Sequence, residues 1–62
     1  MTNTIDPELA QIQADANAGD AEAQFMLGGI YENGDGVAQD FALALTWYEK
    51  SAAQGYLDAQ FN

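Results

Sequence analysis

Apolar residues fall in three bursts along the chain, separated by acidic or glycine-rich breaks, and the spacing within each burst is helical. In the first, Leu9, Ile12 and Ala16 recur at intervals of three and four. Asp6 can cap that helix, Pro7 suits its first position, and Glu8 suits the positive end of its dipole. Gly19 reads as the left-handed residue that ends it, so the pattern predicts a helix over 6–18.

The second burst predicts a helix over 20–33. Ala23, Leu27, Ile30 and Tyr31 share one face, and Phe25 and Met26 widen the apolar surface. The pair Gly28-Gly29 interrupts it at a cost of about 1 kcal/mol per glycine relative to alanine, which points to close approach of another helix. Asn33-Gly34-Asp35-Gly36 then marks a turn, with Val37 as its apolar anchor.

Asp40 caps a third helix over 40–54, closed by Gly55. Its core stripe reads as Phe41, Ala44, Leu45, Tyr48 and Ala52, while Leu43 and Trp47 form a second stripe on another side. A helix apolar on two sides wants neighbours on two sides. Residues 57–62 read as the start of a further helix, and residues 1–5 as a disordered N-terminus.

The bursts also copy one another. Ala16, Gly19, Ala23, Gln24 and Phe25 return 36 residues later as Ala52, Gly55, Ala59, Gln60 and Phe61, and Asp58 answers Glu22. A fixed period of this size marks a helical-repeat architecture, whose units cannot bury their apolar faces alone. Through Ala23-Gln24, Leu27-Gly28, Tyr31, Gly34, Gly36-Val37, Asp40, Ala44, Trp47-Tyr48, Ala52-Ala53, Gln54-Gly55 and Ala59-Gln60, the chain resembles the Sel-one-like repeat, a family of tetratricopeptide-like solenoids. The resemblance implies an all-α right-handed superhelix: a capping helix (6–18), one antiparallel helix pair (20–33 and 40–54) and a truncated next unit (57–62). It also implies a scaffold or adaptor that binds other proteins. A self-assembling piece that stacks on other copies through its open C-terminal end is an alternative, as is an acidic decoy of a basic partner. Apolar side chains outside the packed positions are the candidate contacts: Phe25, Met26 and Ile30 on the second helix, with Leu57 and Phe61 at the far end.

Composition narrows the chemistry. Ten acidic residues against the single base Lys50 give a formal charge of −9, which disfavours nucleic-acid backbones and anionic membrane surfaces. Cysteine and histidine are both missing, so disulfides are excluded and zinc loses its usual ligands. A calcium loop aligned on Gly36 would put Tyr31 first and Ala42 twelfth, where carboxylates are required. Ser51 beside Lys50 lacks the cleft that a nucleophile needs. No catalytic residue, metal or cofactor is expected. The residues from Met1 to Asp6 show neither the basic start nor the apolar run of a secretory signal, so a soluble, cytoplasmic, bacterial-type protein is the expectation. A chain of this size buries only about 60% of its unfolded surface, so its stability is marginal.

Overall fold

A computed structural model describes residues 7–56, in which three helices follow one another: α1 (Pro7–Asn17), α2 (Ala21–Asn33) and α3 (Phe41–Ala53). No strand occurs among the described residues. The fold is all-α, with α2 packed against both α1 and α3. Asp6, the expected cap of α1, and the expected helical start over 57–62 lie outside the described residues.

Local chemistry sets the helix ends. Asp20 and Asp40 each hold extended backbone and accept a hydrogen bond three residues on, from the amides of Ala23 and Leu43, both at 3.0 Å. Each thereby satisfies one of the amides that a helix start leaves unpaired. At the other end, Gly19 and Gly55 adopt φ of +104° and +87°, where a side chain would be strained. Around Gly19, the Asp20 amide donates to the Asp15 carbonyl and the Gly19 amide to the Ala16 carbonyl. Around Gly55, the Tyr56 amide donates to Ser51 and the Gly55 amide to Ala52. The two ends are the same paired-bond terminator, one period apart.

The connector from α2 to α3 folds back over the end of α2. Ile30 accepts from the Gly34 and Asp35 amides, Tyr31 from the Asp40 amide at 2.9 Å, and Glu32 from the Gln39 side chain at 2.8 Å. These bonds satisfy last-turn carbonyls that the helix cannot pair itself.

Ala16, Ala23 and Leu27 form the central cluster, with Leu9, Ile12, Ile30, Tyr31 and Trp47 packed against it. On α3 the structure corrects the stripe expected from spacing. Ala44 is buried, but the other fully enclosed position is Ser51, while Phe41 is 66% exposed and Leu45 57% exposed. Trp47, assigned by spacing to a second stripe, packs on the central cluster instead. Helical periodicity locates both apolar sides of α3, yet only the tertiary partner decides which is covered, and α2 takes the side centred on Ala44 and Ser51.

Candidate functional site

Sequence-level contact candidates divide once placed in the fold. Met26 is 43% exposed on α2. Phe25 is half-buried, its ring lying 5.3 Å from that of Tyr48 and 5.4 Å from that of Tyr56, both tilted. Such tilted aromatic pairs are favourable beyond the area they bury. Ile30 is also half-buried and packs on the central cluster. Leu57 and Phe61 lie outside the described residues. The structure thus brings Phe25 together with the repeat-signature residue Tyr48 and leaves Met26 as the most open of the α2 candidates described.

Tyr48 organises this edge. Its ring lies over Gly28, where an added Cβ would stand 2.7 Å from two ring carbons. The glycine therefore permits the close helix approach that its position in the sequence suggested. Beyond the ring, the Tyr48 hydroxyl donates to Glu32 Oε1 at 2.7 Å. Partial burial, then the hydrogen bond to Glu32 and the carboxylate charge, push the phenol pKa up from 10.0 to about 12.

A polar relay ties the three helices together. Gln54 Nε2 donates to the Gly19 carbonyl (2.8 Å) and to Gln24 Oε1 (2.9 Å), and Gln24 Nε2 donates in turn to the Ala16 carbonyl at 3.1 Å. Ser51, 0% exposed, donates its hydroxyl to the Ala21 carbonyl at 2.7 Å. That contact occupies the one serine as a structural clip. Among the described residues no buried side-chain polar atom lacks a partner. Sequence reasoning missed this relay. The available signals were Gln24 returning as Gln60, and Ser51 lying two helical turns from Ala44 on the same face.

The remaining flank of α3 carries Phe41 and Leu45, with exposed Asp40 and Glu49 beside them. Lys50 lies elsewhere, its Nζ 5.8 Å from the centre of the Trp47 ring. Among the described residues no group of three or more acidic, histidine or cysteine side chains is placed to hold a metal, and no helix is long and apolar enough to cross a membrane.

Helices joined in series, with matching terminators one period apart and a core shared between neighbours, define a helical-repeat protein. The family model of the Sel1 repeat matches residues 21–56, more than half of the chain, and the protein belongs to that family. The matched segment holds α2, its connector, α3 and the Gly55 terminator. Comparison with curated proteins and with solved structures returns no significant match. Sel1 repeats mediate protein–protein interactions and are generally non-catalytic scaffolds.

Proposed function

We propose that the chain acts as an adaptor, binding a partner protein through side chains that the repeat leaves outside its core. The observation that supports this reading is the Sel1 repeat match over 21–56, joined to an exposed apolar surface that includes Met26 beside the half-buried Phe25. Within this reading Phe25 and Met26 are the contact candidates of α2 together with Ile30, and Leu57 and Phe61 are further candidates by sequence. None of these residues has a catalytic role. A cytoplasmic setting belongs to the same proposal: the sequence contains no cysteine, so its folding does not depend on an oxidising compartment.

Affinity capture from the native host tests the proposal when three baits are compared: the unaltered chain, Met26→Glu, and Trp47→Ala as an unfolding control. Proteins retained by the first and lost by the other two support a folded contact surface. Retrieval of the same proteins by Trp47→Ala would sink the folded-adaptor reading, because the core contacts of Trp47 would then be irrelevant to binding.

A further inference from the structure

The turn Asn33-Gly34 joins a requirement of the fold to a reactive pair of residues. Gly34 ends α2 with φ of +68°, a left-handed angle that a side chain resists. An added Cβ there would also stand 3.1 Å from Gln39 Cβ and 3.3 Å from the Gln39 backbone nitrogen. The fold therefore requires glycine at this position. The same missing side chain leaves the Gly34 nitrogen unhindered as a nucleophile toward the amide of the asparagine before it. Asn33 is exposed, so water and hydroxide reach it. We propose that Asn33 is a site of spontaneous modification, deamidation through a cyclic imide, and that the closed end of α2 sets its rate. The proposal is independent of the adaptor reading.

The chemistry needs only solvent. The Gly34 nitrogen gives its proton to hydroxide and attacks Asn33 Cγ. The new N–C bond forms as the Cγ–Nδ2 bond breaks, and ammonia leaves with a proton taken from water. A further water then opens the ring at either carbonyl, giving aspartate or isoaspartate.

In the closed turn the attack is blocked. The Gly34 amide donates to the Ile30 carbonyl, so its proton is held and directed back along the helix, away from the next step. Asn33 is itself the last helical residue. Around it, the Asp35 amide shares the Ile30 carbonyl, the Asp40 amide bonds Tyr31 and the Gln39 side chain bonds Glu32. Reaction requires this end to open, and helix ends open locally. Asn17 provides a contrast within the chain. It also ends a helix and is exposed, but Ala18 follows it, and a Cβ hinders the same attack.

The products fit the turn poorly. Either one adds a negative charge at the negative end of the α2 dipole, between Glu32 and Asp35. Isoaspartate also places an extra carbon in the main chain between Tyr31 and Asp40, whose hydrogen bond closes the connector. Glu32, which accepts from Tyr48, is the residue before it. Each event thus loosens the α2–α3 joint irreversibly.

The test incubates the full chain in mildly alkaline buffer with trimethylamine N-oxide, which favours the folded state. Peptide mapping by mass spectrometry follows the amide-to-acid mass gain at each asparagine. Two synthetic peptides, residues 29–37 and residues 13–21, are too short to hold a helix and give the ungated rates of Asn33 and Asn17. Asn33 is expected to react at least about tenfold faster than Asn17 in the peptides, and at least about tenfold more slowly in the chain than in its peptide. Gln39→Ala keeps the Cβ but removes the bond to Glu32. It should speed the reaction of Asn33 in the chain by about threefold to tenfold, with circular dichroism unchanged.

Equal rates at Asn33 in chain and peptide would overturn the gate. A Gln39→Ala rate equal to that of the parent would overturn it as well, and assign protection to global unfolding. Reaction of Asn17 as fast as Asn33 in the peptides would overturn the site itself.

Discussion

The two joints made by α2 are built from different materials. Against α1 the contact is aliphatic: Leu9, Ile12 and Ala16 meet Ala23 and Leu27, with the Gln24 bond to the Ala16 carbonyl as a polar tie. Against α3 it combines a tyrosine ring over Gly28, the Ser51 clip to Ala21 and the Tyr48 bond to Glu32. Gln54 spans both joints through Gly19 and Gln24. The difference teaches how α2 comes to be the hub. Aliphatic burial dominates one joint with a single glutamine tie from α2, whereas a ring contact and two side-chain hydrogen bonds set the register of the other.

Leu27→Ala attacks the hub itself and carries the largest expected effect. Removing a side chain that is only 2% exposed costs about 2–5 kcal/mol. A chain of this size rarely holds more than about 3–5 kcal/mol in total, so far-UV circular dichroism should show loss of most helix at room temperature. A variant that melts with the parent would show that the central cluster does not hold the fold.

Ser51→Ala separates the joints, because only the α3 joint uses that hydroxyl. A loss of about 1 kcal/mol is expected from chemical denaturation. An unchanged midpoint would mean the clip is incidental to register.

The adjacent glycines sharpen the comparison within one helix. Gly28→Ala places a Cβ 2.7 Å from the Tyr48 ring, which Phe25 and Glu32 hold in place. Overpacking costs about 1–3 kcal/mol, partly offset by the gain of about 1 kcal/mol in helix propensity, so the net change should be a small loss. At Gly29 the nearest atom to an added Cβ is the Tyr48 hydroxyl oxygen at 3.5 Å, an ordinary contact. Gly29→Ala should therefore stabilise by up to about 1 kcal/mol. Opposite signs in the two melting temperatures are the expected outcome, and equal signs would contradict the packing described.

Alkaline pH tests the Tyr48 bond most gently. The phenol titrates at about 12 in the folded chain against 10.0 for the unperturbed group. Above pH 10 the unfolded chain releases this proton first, so it binds fewer protons and stability falls as pH rises toward 12. The tyrosine contribution is fully present below pH 10 and lost through that window. Tyr48→Phe should lack this part of the alkaline decline. An identical decline in both proteins would show that the Glu32 contact does not stabilise the neutral phenol.

Local features were the legible ones. Asp20 and Asp40 as caps, Gly19 and Gly55 as terminators and the 36-residue echo all follow from short-range chemistry that a sequence displays directly. Gly28-Gly29 signalled a close approach, but not that Gly28 alone lies under the ring. Spacing assigns Phe41 and Leu45 to the core, yet both are exposed, because periodicity reports that a side is apolar without saying whether another helix covers it. The buried Gln24 of the relay and the buried Ser51 clip are hidden for the opposite reason. Amides and hydroxyls usually signal surface, and their burial depends on carbonyls that tertiary packing brings from other helices. Among the candidate contact residues, Met26 is exposed on α2, whereas the ring contacts of Phe25 are visible only in the structure.

Native-state hydrogen exchange followed residue by residue tests the central claim most directly. With α2 as a hub held by both neighbours, its amides from Gln24 to Gly28 should exchange only through global unfolding, together with those of Tyr48 and Ser51, while the first turn of α1 exchanges faster through local opening. Exchange of the α2 amides as fast as those of α1, or of α3 opening while α2 stays closed, would contradict it.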